Sequence, residues 1–209
     1  MTLDRFRPLA DRMLEPFVDA ADRAGLTPDG VSVVAFGFAV FAATAYAMAG
    51  APAGVWEPDP RLYLLGALFV LVNGWLDLLD GALARRQGVA SKAGDLLDHV
   101  LDRYADIVII AGLAAGVQAY LLGFLAVTGV VMTSYLGTQA QAVGLDRVYG
   151  GVVGRADRLV IIGGVTLVAA FYTAELYGLS LVGWLLVFLA VVGHVTALQR
   201  FYYSMTALD

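Results

Sequence analysis

Four aspartates set the chemistry open to this 209-residue chain. Asp77 and Asp80 stand three apart and Asp98 and Asp102 four apart, so each pair lies on one face of a helix. Both pairs adjoin long apolar stretches. A carboxylate at membrane depth is costly unless a cation compensates it, so its default reading is functional, and four together imply a metal. The chain has no cysteine and only two histidines, His99 and His194, which excludes a thiolate site or a histidine cluster. The carboxylates suit a hard cation, Mg2+ or Mn2+, and disfavour zinc. Two helices presenting two acids each can clamp one or two such ions, which neutralise charge on a transferring phosphorus.

The neighbours of the acids fit the same chemistry. Gly81 and Ala84 lie within a turn of Asp80 and have almost no side chain, so a base or a diphosphate can approach the helix backbone; Gly94 does the same from the other side. Arg85, planar and always charged, can grip phosphate oxygens bidentately. Asp106, four residues past Asp102, could join the site, Asp95 reads as solvated, and His99 reads as a structural hydrogen-bonder.

The elements that must hold these residues are membrane helices. Sixty per cent of the chain is apolar and only 15% charged, more extreme than ordinary globular usage. About 20 apolar residues cross a bilayer. Spans are expected near 31–49, 62–84, 107–120 (continuing the Asp98 helix), 121–143, 159–177 and 179–197. The predicted fold is therefore all-α and integral to the membrane, with six transmembrane helices in residues 26–209. Residues 1–25 form a separate amphipathic interfacial helix: Leu3, Phe6, Leu9, Met13, Leu14, Phe17 and Val18 recur at helical spacing among Arg5, Arg7, Asp11, Arg12 and Glu15, with an interruption expected near Pro16. Gly25 ends that helix and Pro28 opens the next.

The formal charge of −5 hides an asymmetry. Of the thirteen basic residues only Arg61 falls on the far side of these spans, so the termini and the acids are expected to face the cytoplasm from the cell membrane. No nucleic-acid partner is expected. Ala111, Gly112, Ala115 and Gly116 make small-x3-small pairs suited to close helix approach, between protomers or inside one bundle.

The pattern D77-x2-D80-G81-x2-A84-R85-x8-G94-x3-D98-x3-D102 resembles the signature of the CDP-alcohol phosphotransferases, integral membrane enzymes that build phospholipid head groups, at all eight fixed positions. The resemblance implies Asp77, Asp80 and Asp98 as metal ligands, with Asp102 also in the metal cluster and acting as general base on the acceptor hydroxyl. It implies CDP-lipid contacts from Asp77, Gly81, Ala84, Arg85 and Gly94. The reaction would pass a phosphatidyl or archaetidyl group from CDP-diacylglycerol or CDP-archaeol to an alcohol, with release of CMP and dependence on Mg2+ or Mn2+, in a homodimer that meets at the third span.

Within that family the chain is similar to phosphatidylinositol-phosphate synthases and their archaeal counterparts, through L26-T-P-D29, S134-Y and G151-V-V-G-R-A-D-R-L159. Such enzymes line an acceptor pocket with a serine, a lysine three residues later and a loop arginine. Ser134 and Arg155 match and Arg158 adds charge, whereas Gly137 stands at the lysine position. The acceptor is thus expected to be a phosphorylated polyol, inositol phosphate or glycerol phosphate, with serine or another unphosphorylated alcohol as the alternative. A carboxylate-lined transporter is the rival from another class, but transport sites favour the midplane and repeated halves, and here the acids cluster at one end with no repeat.

Overall fold

The computed structural model describes residues 7–50, 57–145 and 153–208, which form seven helices. Leu3, Arg5 and Phe6 of the expected interfacial helix, Arg147 and the first two residues of G151-V-V lie outside the described residues, and the side chains of Arg7, Leu9 and Asp11 are likewise not described. The N-terminal helix α1 (Arg7–Arg23) runs through Pro16 without the expected interruption. Leu14, Val18 and Ala21 recur on one face and bury against Val31, Leu79 and Leu83, while Met13 and Phe17 stay exposed. Polar contacts fasten the other side: Arg86 pairs with Asp19 at 2.9 Å, and the Gln87 amide donates to Asp22 and to the Leu26 carbonyl. Gly25, at φ +68°, ends α1 as expected.

Helix α2 (Pro28–Ala49) opens on Pro28, with the Thr27 hydroxyl capping Gly30 N–H. Helix α3 (Leu62–Gln87) closes at Gly88, whose N–H bonds back to the Ala84 and Arg85 carbonyls. Helix α4 (Lys92–Gly116) is capped by Ser91, whose hydroxyl accepts from Gly94 N–H at 3.1 Å. Three more follow: α5 (Tyr120–Ala142), α6 (Arg155–Ala169) and α7 (Leu181–Leu208).

Helix α2 packs against both α3 and α4, α5 against α7 and α4, and α6 against α3 and α7. The tightest seam lies between α4 and α2. A Cβ on Gly112 would run into the Ala43 backbone, and one on Gly116 into the Tyr46 carbonyl. Two members of the small-residue stripe thus serve close packing inside one bundle, while Ala111 remains exposed.

Helices α2, α3, α5 and α7 are long and apolar enough to cross a membrane. Their outward faces are apolar too, as at Leu71, Leu121, Phe124 and Leu198, each more than 60% exposed. That pattern suits a lipid solvent. Helix α4 carries Lys92, Asp95, Asp98, Asp102, Arg103 and Asp106 between its start and Asp106, and is apolar from there to Gly116. The expected span 159–177 is corrected to the shorter α6, which starts four residues earlier and stops at Ala169. At 15 residues it is about 22 Å long. Polar Thr173 and Glu175 interrupt the apolar run, and the chain reverses through Tyr177 and Gly178, both at positive φ, so that Leu176 and Leu179 pair. The last helix runs to Leu208, past the expected span 179–197.

Candidate active site

The α3 and α4 acid pairs converge because α2 packs against both helices, its first turns meeting α3 through Ser32 and Asp80 and the start of α4 through Asp29 and Gly94. Asp77, Asp98 and Asp102 each bring a carboxylate oxygen within 4.8 Å of the others. Arg155, at the start of α6, lies between two of them: Nη1 is 2.6 Å from Asp77 Oδ2 and Nη2 is 2.9 Å from Asp102 Oδ1. The three acids and one guanidinium leave two formal negative charges, which one divalent cation would balance. An all-carboxylate donor set at this spacing fits Mg2+ or Mn2+.

Asp80 lines the same cleft but takes a different place. It is buried, and the Ser32 hydroxyl of α2 donates to its Oδ2 at 2.6 Å. The cleft encloses about 200 Å³, part of it open to solvent, and Asn73 and Ala105 stand one turn deeper along the helices than Asp77 and Asp102.

The expected donor-binding residues lie on the flank of this cluster. A Cβ at Gly81 would come 3.5 Å from Arg85 Nη1, so the glycine keeps the helix surface open beneath an exposed arginine. Ala84 is half-buried, beside that arginine. At Gly94 a Cβ would meet Asp29 Oδ1 at 3.2 Å, which brings the beginnings of α2 and α4 side by side. His99 accordingly bonds the backbone, with Nδ1 2.8 Å from the Asp95 carbonyl oxygen, and Asp95 itself is exposed.

The two arginines expected at the acceptor separate. Arg155 joins the acid cluster, whereas Arg158 is 6% exposed and donates to Asp106 Oδ2 at 2.7 Å. Arg103 Nη1 also reaches Asp106, at 3.2 Å. Asp106 therefore sits in a buried ion-pair network below the cleft. Arg158 faces a second cavity among α5, α6 and α7, with Thr133 and Thr196. Ser134 is half-buried on α5, next to Thr133, and is not among the cleft-lining residues. Three roles escaped the sequence: Ser32 on Asp80, Asn73 in the cleft and Arg155 between the acids. The only signal for Asn73 was an amide one turn before Asp77 in an apolar helix.

An all-helical membrane bundle with a carboxylate cluster at one end defines a class that the comparisons identify. Residues 25–196 match the CDP-alcohol phosphatidyltransferase family, and the chain belongs to it. The archaetidylinositol phosphate synthase of Methanothermobacter thermautotrophicus is 31% identical over 206 residues, covering 96% of this chain and 93% of that protein. Among solved structures, the phosphatidylinositol phosphate synthase of Mycobacterium tuberculosis in complex with manganese and citrate superposes with a TM-score of 0.76 at 26% identity, covering 92% of this chain and 89% of that one. The same enzyme with CDP-DAG bound gives 0.74 at 26% identity, covering 93% and 94%.

Proposed function

We propose that this enzyme transfers a phosphatidyl or archaetidyl group from a CDP-linked lipid to a hydroxyl of a phosphorylated polyol, with inositol phosphate the first candidate and glycerol phosphate the second. The observation that carries the reading is Arg155 beside Asp102, 2.9 Å apart within the three-acid cluster. A phosphate gripped by Arg155 holds the rest of a small polyol against Asp102. An unphosphorylated alcohol such as serine would make no use of that guanidinium beyond its pairs with Asp77 and Asp102.

In this mechanism Asp77, Asp98 and Asp102, with Asp80 behind them, would hold Mg2+ or Mn2+, which when bound would supply charge neutralisation at the diphosphate. Gly81, Ala84 and Gly94 leave room for the CDP moiety, and Arg85 binds diphosphate oxygens. Asp102 takes the proton from the acceptor hydroxyl. The hydroxyl oxygen then bonds to the β-phosphorus of the donor, the bond from that phosphorus to CMP breaks, and CMP leaves with the electron pair. Ser134 would lie on the acceptor side with Arg155, and the pairing of Arg158 with Asp106 supports a role for Arg158 in holding the pocket wall.

The same reading takes the chain as six spans behind an interfacial α1, with the cleft at the cytoplasmic face of the cell membrane. The basic residues on that side and the exposed Met13 and Phe17 of α1 support it. A homodimer through α4 would use the flank bearing Ala111. The test is to incubate purified protein with CDP-diacylglycerol or CDP-archaeol and a panel of acceptors, and to measure CMP release with and without Mg2+ or Mn2+. Metal-dependent CMP release with inositol phosphate or glycerol phosphate is expected. Release with free serine alone would overturn the acceptor assignment.

A further inference from the structure

Asn73 is 1% exposed on α3, one turn before Asp77. Its Nδ2 donates to the Ala35 carbonyl of α2 at 2.9 Å. A backbone carbonyl can only accept, so this bond fixes the amide with its nitrogen toward α2 and its oxygen turned away. That oxygen is buried and has no hydrogen-bond partner, although Asn73 lines the cleft of the acids. Buried amide oxygens are nearly always paired, so one left unpaired calls for a donor that enters the cleft.

The protein groups around it do not supply that donor. Asp77, Asp80, Asp98 and Asp102 offer acceptor oxygens when ionised. The Ser32 hydroxyl is given to Asp80, and the terminal nitrogens of Arg155 go to Asp77 and Asp102. Arg155 Nε is itself unpartnered, so no direct bond joins it to Asn73. A small hard cation among carboxylates keeps several of its waters, and each such water has protons to donate.

We propose that Asn73 is a positioning residue whose Oδ1 accepts a hydrogen bond from a hydration water of the divalent cation held by Asp77, Asp98 and Asp102. This rests on the cation reading above. Asn73 thereby orients the cation from outside its ligand shell, an arrangement whose loss typically weakens metal binding about 10- to 100-fold.

The test measures Mn2+ affinity of the full chain in detergent, by electron paramagnetic resonance of free Mn2+, for the wild type, Asn73→Leu and Asn73→Asp. Thermal unfolding is followed alongside. Leucine keeps the bulk and loses the acceptor; aspartate keeps an acceptor oxygen and loses the donor to Ala35. The expected result is affinity at least tenfold weaker in Asn73→Leu, with Asn73→Asp binding at least as well as wild type. Wild-type affinity in Asn73→Leu overturns the proposal, and so does an equal loss in both variants that tracks their unfolding temperatures, since that marks packing alone. A wild type that binds no Mn2+ overturns the cation reading itself, and the proposal with it.

Discussion

Two charged clusters stand one helical turn apart on the same pair of helices, Asp102 with Arg155 above and Asp106 with Arg158 below, and they differ in balance and burial. The upper cluster has three acids to one arginine of its own, Arg103 being shared between the clusters at 3.7 Å from Asp102, and Asp77, Asp102 and Arg155 are exposed by 26%, 16% and 15% in a cleft open to solvent. The lower has one acid to two arginines, Arg103 and Arg158, and the side chains of Asp106 and Arg158 are exposed by only 4% and 7%, while that of Arg103, which reaches up to Asp102, is exposed by 27%. The lower acid has its charge met inside the protein. The upper acids are left in excess and await a cation. The same residue types thus serve a reaction where the charges do not balance and support the fold where an acid is fully met.

Substitutions in the two clusters should therefore fail differently. Asp102→Asn should cut transfer by about 10²–10⁴-fold while the unfolding temperature holds, because the amide keeps the shape and cannot take the proton. The loss of one carboxylate from the cation cluster should weaken Mn2+-dependent CDP-lipid binding by much less than the substitution cuts transfer. Near-wild-type turnover would remove Asp102 as the base. Asp106→Asn should instead act on stability, by about 3–5 kcal/mol in detergent unfolding, since it strands the buried Arg158. A variant as stable as the wild type would show that the lower cluster does not hold the bundle together.

Smaller effects should separate the two substrates. Arg155→Ala should raise the KM of a phosphorylated acceptor about tenfold or more, as a charge-assisted contact of about 1.5–3 kcal/mol is lost. An unchanged KM would free the acceptor from that guanidinium. Arg85→Lys keeps the charge but loses the bidentate fork, so donor affinity should fall by about tenfold or less, read by CDP-lipid binding with acceptor omitted. Unaltered binding would take Arg85 out of the donor site.

The acids were legible in the sequence because their spacing is local: three or four residues on one helix fix a shared face wherever that helix goes. The partners were not. Ser32 meets Asp80 across 48 residues and Arg158 meets Asp106 across 52, and both meetings depend on how α2 and α6 dock. Arg155 and Arg158 look equivalent in sequence, and only the depth of each along α6 separates a cleft residue from a buried one. The helices themselves were read from apolar length, which served for α2, α3 and α5. It overran at α6, where apolar residues continue to Tyr172 past the helix end at Ala169, and the expected span ran on through Thr173 and Glu175.

The fastening of α1 to the end of α3 has a consequence for the entropy of donor binding. A helix terminus ordinarily frays, and a ligand that needs its last turn must then order the backbone as it binds, at about 1–2 kcal/mol per residue fixed. Here that turn, with Ala84 and Arg85, is closed by Gly88 N–H, while Arg86 and Gln87 just beyond it are tied to Asp19, Asp22 and Leu26. For the proposed donor site at Ala84 and Arg85, the last turn would thus be in its final conformation before a lipid nucleotide arrives, and little of the binding free energy would be spent in arranging it.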